Sequence, residues 1–557
     1  MLAPLPGWVH GSITVLLMIA LAPPFLQAWA RGGLAAGGVI AASRAPRDAN
    51  GPRASGISEL AVAAWAGIAV FIAWRGGALG PALGLAALTL GLALHGLRLF
   101  ATRLRAAAAN DVGPRRSWWP LVPIGVVALA ALTALAASDG TWRESPRLFS
   151  GLLLGLGAAF LAGLWVVRTR AIPLPALAWI LAVGVALNLI ATGLWHSDDV
   201  YRYEVEGRQI LAGQNPYVIP PADPRARALV ADAVADRVNH PHMTAIYPPM
   251  GLLVEAGVQA VLPGTLGFAT LACGGVLAAI VLALALLLRT GAAPGLILAV
   301  AWNPVLTVFG SGEAHNDIVM ALLVLVALLF AASGRAASAL VAATLAVLVK
   351  PFAVVVLPAL LTRAGWRRWW LVPATAGLLY LPFAAAGMGL FASLLTFGGT
   401  MHYHGALDPL VRSLARLVLA SDQVEPAVRV VLLAALVGGL AWVWLRRGAA
   451  PTPTLAVRLI TVLLLCLPTL HPWYLTVVAV LLPFARSWAL AVWTATVGVY
   501  WLHGIEMLAV GEWIETGWVT TVAHLPAIGL MVFEIFGPPR EAREPGKLPF
   551  PVGSAHA

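Results

Sequence analysis

Long apolar segments follow one another along almost the whole chain, with short polar loops between them. Before the longest polar loop they lie at 8–30, 57–74, 78–97, 120–138, 150–167 and 174–195. After it they lie at 250–262, 266–288, 294–309, 318–332, 336–349, 352–361, 371–385, 430–445, 459–470, 473–484, 488–501 and 516–536. A helix of about 20 apolar residues crosses a bilayer, whereas a membrane barrel shows alternating segments of about ten residues. The pattern therefore predicts an all-α polytopic membrane protein.

One of these apolar stretches is interrupted by a charge. Segments 336–349 and 352–361 are separated only by Lys350-Pro351. Proline breaks a helix because it lacks a backbone N–H, and broken helices at membrane depth are tolerated where they line a cavity. The spacing predicts one broken or re-entrant element with a lysine at the break.

The longest polar loop runs from about 196 to 246 and is predicted to have structure of its own. Its first part fits an interfacial helix that ends at Gly213 and Pro216. A second helix is predicted at 225–238. The apolar face of the first helix would carry Val200, Tyr203, Gly207, Ile210 and Leu211, and its polar face Asp199, Arg202, Glu206 and Gln209.

Composition supports the membrane assignment and excludes a nucleic-acid partner. Of the 557 residues, 60% are hydrophobic and 11% are charged, against roughly 25% charged in an average soluble domain. The net charge of +11 would suggest nucleic acid in a soluble protein. Here the arginines lie in short loops, where they report orientation instead. In the first third of the chain every second loop is rich in arginine, and the positive-inside rule places these loops in the cytoplasm. The 196–246 loop is therefore predicted to face the exterior. Topology between Ile246 and Arg335 stays open.

Polar residues outside the arginine loops fall into four clusters, at 196–217, 313–317, 402–412 and 471–474, with Lys350 as a fifth point. Ionisable residues at membrane segments are costly and usually functional. A carboxylate in a cavity can act as general base toward a hydroxyl. A cation such as Lys350, Arg202 or Arg412 can hold a phosphate and stabilise it as a leaving group, and aromatic rings suit sugars. Together the clusters describe a base, a phosphate clamp and a sugar platform.

Each cluster also has a structural interpretation. Asp198 and Asp199 could cap a helix, and Lys350 could extend from a helix end toward the interface. Residues 471–474 could belong to an interfacial aromatic belt. His402 and His404 with Asp408 form only a weak metal-ligand pattern. The sequence therefore predicts no metal site and requires no cofactor, although a divalent metal is compatible with it.

The order of these motifs resembles the polyprenyl-phosphate-dependent glycosyltransferases of the GT-C fold, especially the bacterial and archaeal mannosyltransferases. The resemblance covers roughly 174–484. It rests on Asp198-Asp199-Val200-Tyr201-Arg202-Tyr203, Glu206-Gly207, Gly213-Gln214-Asn215-Pro216-Tyr217, Tyr247-Pro248-Pro249, His315-Asn316-Asp317, Lys350-Pro351 and His471-Pro472-Trp473-Tyr474.

The resemblance implies a GT-C-like transmembrane helical bundle whose long first external loop carries the catalytic base. The base would be Asp198 or Asp199, with Asp198 preferred because it lies nearer the membrane boundary. The donor would be a hexose, mannose first, on a polyprenyl phosphate, and the acceptor a hydroxyl of a glycan, lipid or protein. Candidates for binding the donor phosphate or the substrates are Arg202, Tyr203, Tyr247, His315, Asp317, Lys350, His402, His404, Arg412, His471 and Tyr474.

Three regions follow from this interpretation. Residues 1–170 would add transmembrane helices to the family core, 171–536 would form the catalytic core, and 537–557 would be a disordered cytoplasmic tail. The resemblance also implies the bacterial inner membrane, with the active site facing the periplasm or exterior. Two alternatives stay open: a transporter or flippase of lipid-linked sugars, and the same fold with a different lipid-linked sugar.

Overall fold

The computed structural model describes residues 117–137, 145–194, 197–510 and 515–536. The predicted segments 8–30, 57–74 and 78–97 and the predicted tail 537–557 lie outside the described residues. The chain divides into two compact units, Met1–Leu104 and Arg105–Ala557, and every described residue belongs to the second. Throughout this described part, the regular structure is helical.

The helices before the break at Lys350 are α1 to α11. They are α1 (Leu121–Ala137), α2 (Pro146–Thr169), α3 (Leu174–Ala191), α4 (Asp199–Leu211), α5 (Pro224–Arg227), α6 (Asp232–Ala235), α7 (Pro249–Val261), α8 (Thr265–Arg289), α9 (Leu298–Ala301), α10 (Asp317–Ala332) and α11 (Ala336–Val347). A 3₁₀ turn at Pro294–Ile297 precedes α9, and a π-helix at Val305–Gly312 follows it.

Ten further helices follow the break. They are α12 (Leu357–Ala364), α13 (Leu371–Tyr380), α14 (Gly389–Thr400), α15 (Asp408–Val418), α16 (Ser421–Leu445), α17 (Thr452–Cys466), α18 (Thr476–Ala485), α19 (Trp488–Thr496), α20 (Gly504–Val510) and α21 (Gly517–Phe536). Short 3₁₀ segments at Pro351–Val356, Trp366–Arg368, Leu381–Ala386, Pro472–Leu475 and Val497–His503 connect some of them.

Six helical segments of the described chain are long and apolar enough to cross a membrane. They are Pro146–Thr169, Leu174–Ala191, Thr265–Arg289, Trp366–Ala386, Ser421–Leu445 and Gly517–Phe536. A seventh is the pair Pro294–Ala301 and Val305–Gly312, which is bent by 52°. The prediction of an all-α polytopic membrane protein is confirmed.

Burial separates the inner helices from the outer ones. In α18 every residue from Thr476 to Pro483 is buried, as expected for a helix that is apolar on all sides and surrounded by protein. By contrast, α16 leaves Val430, Leu433 and Val437 exposed. Large apolar side chains exposed along a candidate span form a surface that suits lipid.

The long polar loop folds over the bundle, and α4 packs against α7. Gly207 permits this packing, since a Cβ at this position would lie 2.7 Å from the carbonyl oxygen of Glu255. The helix prediction at 200–211 is confirmed, but the expectation of a solvated polar face is wrong. Arg202, Glu206 and Gln209 are buried, because they find hydrogen-bond partners in the rest of the loop rather than in water.

The second predicted helix of this loop, at 225–238, is wrong. Two single turns, α5 and α6, replace it. The chain bends between them so that Val230 packs against a small apolar cluster of Val205, Ala226 and Val238. The predicted interruption at Lys350 is confirmed: α11 ends at Val347, and the 3₁₀ segment begins at Pro351.

Candidate functional site

A cavity of about 810 Å³ opens between the polar loop and the helical bundle. Its lining is part polar and part apolar. The polar lining includes Asp198, Asp199, Arg202, Arg237, Asn239, His240, Glu313, Lys350 and His471, and the apolar lining includes Leu194, Ile246, Phe352, Leu394, Phe397, Leu467 and Met507. The volume lies within the range of about 300–1,000 Å³ typical of small-molecule sites.

The two acids at the start of α4 differ in their surroundings. Asp198 occupies the N-cap position without a side-chain capping hydrogen bond, and it is exposed where it lines the cavity. Asp199 is enclosed: its Oδ1 accepts from Asn239 Nδ2 at 2.6 Å, and its Oδ2 lies 3.4 Å from both His315 Nδ1 and the Tyr203 hydroxyl. Asp199 is therefore held in one orientation, whereas Asp198 faces the cavity.

His315 lies between two carboxylates in the loop that joins the π-helix to α10. Its Nε2 is 3.0 Å from Glu313 Oε2, and its Nδ1 faces Asp199. Burial alone would lower the pKa of His315, but the hydrogen bonds and charges of Asp199 and Glu313 outweigh it and raise this pKa to about 9. Burial would likewise raise the pKa of Asp199, yet His315 and Lys350 lower it below its usual value. The pair is thus ionised at neutral pH.

This ion pair predicts a pH-dependent stability. The pKa of His315 rises from an ordinary 6.5 to about 9 on folding, so its contribution is complete below pH 6.5 and is lost as pH rises through about 9. A rise of this size corresponds to about 3 kcal/mol. We expect the unfolding temperature in detergent to fall more between pH 6.5 and 10 in the wild type than in His315→Gln. The exposed His242→Gln should behave as wild type, and equal falls in all three proteins would contradict the assignment.

Four rings stack along one wall of the site. His315 and Trp473 lie 3.9 Å apart at 13°, and Trp473 and His471 lie 4.4 Å apart at 6°. Tyr403 continues the stack beyond His471 at 5.8 Å. Trp473, His471 and Tyr403 line the cavity. The stack therefore lines one side of the cavity with aromatic rings, and it reaches the carboxylates through His315.

Lys350 reaches the cavity but is already engaged. It is 4% exposed, its Nζ lies 2.5 Å from Asp317 Oδ2, and the rings of Tyr247 and Tyr474 lie 5.3 and 5.2 Å from it. An ammonium between two aromatic faces gains from cation–π attraction. The break before Pro351 thus brings a buried ion pair to the cavity.

Arg202 is also engaged. Only 1% of it is exposed, and its guanidinium donates to Glu206 Oε1 at 2.7 Å and to the carbonyl oxygens of His240 and Met243 at 2.9 and 3.0 Å. Asn239 accepts from its Nε and donates to Asp199. Arg202 therefore holds the end of the polar loop against α4.

The structure brings only part of the predicted set together. Besides the two acids, the cavity is lined by Arg202, Tyr247, Lys350, His471 and Tyr474. Tyr203, His315 and Asp317 do not line the cavity, but they contact residues that do, as the distances above show. His402 and Arg412 belong instead to an ion-pair group with Asp408 and Glu425. His404 lies in a histidine cluster with His503 and His524.

That histidine cluster contains a group with metal-ligand chemistry. Among the described residues, His404, His503 and Glu515 place ligand atoms within 4.8 Å of one another. The backbone N–H of Thr516 donates to His503 Nδ1, and His503 Nε2 lies 3.2 Å from His404 Nδ1. In a neutral His503 the hydrogen is then on Nε2 and is donated to His404. These two hydrogen bonds use the Nδ1 lone pairs of His503 and His404, which a metal bound through Nδ1 would need.

Sequence reasoning missed Arg237 and Asn239, which reach the cavity from the end of the polar loop. Their local signal was weak, because Arg237 follows a single helical turn and resembles the other loop arginines. Only the fold of the loop across α4 brings Asn239 to Asp199 and Arg237 to Tyr201.

Comparison with known proteins gives a match over a range that contains most of the site residues described above. Residues 121–365 match a family model described as "Alpha-(1->6)-mannopyranosyltransferase, N-terminal domain". Neither a search of curated proteins nor a search of solved structures gave a match. The matched range contains the acid pair, His315 and Lys350, and it also contains α1 and α2. The predicted boundary at residue 170 stays a prediction.

The match agrees with the resemblance to GT-C-type mannosyltransferases, which is confirmed. His402, His404, Arg412, His471 and Tyr474 lie beyond the matched range. Residues 121–365 are therefore similar to the N-terminal domain of the alpha-(1->6)-mannopyranosyltransferases, and the chain is a polytopic membrane protein.

Proposed function

We propose that this protein transfers mannose from a polyprenyl-phosphate donor to an acceptor hydroxyl with inversion at the anomeric carbon. The mixed lining of the cavity is the observation that carries the proposal. A donor with a charged sugar-phosphate head and an isoprenoid tail needs both polar and apolar contacts, and the cavity is lined by residues of both kinds.

In the proposed reaction Asp198 is the general base. It takes the proton of the acceptor hydroxyl while the acceptor oxygen forms a bond to the anomeric carbon. The bond from that carbon to the phosphate oxygen breaks, and polyprenyl phosphate leaves with the electron pair. A single displacement inverts the configuration. Asp199, kept ionised by His315, stabilises the positive charge that develops on the sugar.

The aromatic wall has a place in this reaction. Sugar rings pack their apolar C–H faces on aromatic side chains, and the ring stack lines the cavity with Trp473, His471 and, at its end, Tyr403. Packing there would hold the sugar with its anomeric carbon toward Asp198. Positioning of this kind removes part of the entropic barrier to displacement.

The proposed orientation is external. Charge in the flanking loops favours this side for the 196–246 loop, and the acids lie at its start. A donor in the outer leaflet of the bacterial inner membrane could then place its head in the cavity while its tail stays in lipid. Sugar acceptors on that side are hydroxyls of glycans, lipids or proteins.

Donor choice tests the proposal. Purified protein in detergent is given labelled mannose either on polyprenyl phosphate or on a nucleoside diphosphate, together with an oligomannoside acceptor. We expect glycosidic product only from the lipid-linked donor. Because detergent solution holds no transmembrane gradient, a flippase would form no product. Product from the nucleotide donor alone would overturn the proposal.

A further inference from the structure

Three cationic side chains line the cavity: Arg202, Arg237 and Lys350. Two of them are buried in ion pairs, Arg202 with Glu206 and Lys350 with Asp317. Arg237 differs, because no carboxylate lies within ion-pair distance of it among the described residues. Within the described part of the chain, it is therefore the cavity cation without an ion-pair partner.

Tyr201 holds Arg237 in place. Arg237 Nη1 donates to the Tyr201 hydroxyl at 2.9 Å, and the guanidinium carbon lies 5.5 Å from the Tyr201 ring centroid. Tyr201 also lines the cavity and lies on α4, two residues after Asp199. The hydrogen bond to Tyr201 uses one guanidinium N–H and leaves the other N–H groups available for a ligand.

The negative charge of the cavity lining makes a cation necessary for binding an anion. Asp198, Asp199 and Glu313 all line it, so an anionic head group would be repelled unless a positive group met it. Guanidinium groups bind phosphate through two parallel hydrogen bonds. The leaving polyprenyl phosphate carries more negative charge than the donor, and an arginine at that position would therefore stabilise the transition state more than the ground state.

We propose that Arg237 binds the phosphate of the lipid-linked substrate and that Tyr201 positions its guanidinium. This rests on the proposed function for the identity of the lipid, and it moves the phosphate contact from Lys350 and Arg202 to Arg237, near the end of the polar loop.

Direct binding tests the assignment separately from turnover. Polyprenyl phosphate and the matching polyprenol are titrated into full-length protein in nanodiscs. Arg237→Gln should weaken binding of the phosphate about 10- to 100-fold, the loss expected for a charge-assisted hydrogen-bonded contact, and leave polyprenol binding unchanged. Arg237→Lys should recover part of the affinity, and Tyr201→Phe should lose a few-fold.

The control is Arg227→Gln, which removes an exposed arginine of the same loop that pairs with Asp236 outside the cavity. Unfolding temperatures of all variants report whether they fold. Equal phosphate affinity of folded Arg237→Gln and wild type would overturn the assignment, as would an equal loss with polyprenol. Phosphate-dependent binding that needs Arg237, without any transfer of sugar, would sustain the assignment and contradict the proposed function. Failure of the wild type to bind polyprenyl phosphate would overturn both.

Discussion

Replacing Asp198 with Asn should lower kcat about 10²- to 10⁴-fold, the usual effect of removing a general base. The amide is nearly the same size but accepts no proton from the acceptor hydroxyl. Asp198 is exposed where it lines the cavity and occupies the N-cap position of α4, where asparagine is as suitable as aspartate, so folding and donor affinity should change little. The measurement is the initial rate of labelled mannose transfer at saturating donor.

Asp199→Asn provides the comparison within the acid pair. Both oxygens of Asp199 have partners, so this change should also disturb His315 and lower the unfolding temperature. Asp223→Asn is the matched control, because Asp223 pairs with Arg225 on the exposed side of the same loop. Full activity in Asp198→Asn would refute its assignment as base, and loss in Asp199→Asn alone would transfer the role to Asp199.

Replacing Lys350 with Met should destabilise the protein by about 3–5 kcal/mol, the usual cost of breaking a buried ion pair. Asp317 would keep a buried carboxylate without its partner, since Lys350 and Asp317 are both nearly inaccessible. Denaturation of the purified protein in mixed micelles measures the loss. Arg225→Met, which breaks an exposed pair, should have little effect.

A second substitution distinguishes a lost pair from lost packing. In Lys350→Met/Asp317→Leu both charges are gone, and apolar replacement of a buried pair is often neutral. We therefore expect the double variant to recover most of the stability that the single variant loses. A double variant as unstable as the single one would show that the loss does not come from the unpaired carboxylate of Asp317.

Much of the fold could be predicted from local pattern. Apolar runs predict membrane helices because a bilayer imposes both their length and their composition, and Lys350-Pro351 predicts a break because of proline chemistry. The helix at 200–211 follows from its spacing. By contrast, α14 and α15 were missed, because α14 is a short helix of 12 residues and α15 begins inside the polar cluster at 402–412.

The site could be predicted by residue type but only partly by position. A charged side chain in a membrane protein signals function, and this signal found the acids, His315 and Lys350. It could not show that Arg202 and Lys350 are neutralised inside the protein while Arg237 is not. That difference depends on contacts between residues distant in sequence, such as Arg202 with Met243. Local periodicity also assigned a solvated face to α4 that the rest of the loop covers.

The most direct test of the central claim is a structure of the protein with a phosphonate analogue of polyprenyl-phosphate mannose. We predict that the sugar packs on the wall formed by Trp473 and Tyr403 with its anomeric carbon facing Asp198. The phosphonate would lie within hydrogen-bond distance of Arg237, and the tail would leave past Leu394 and Phe397. An analogue bound outside this cavity, or with its phosphonate away from every cavity cation, would contradict the account.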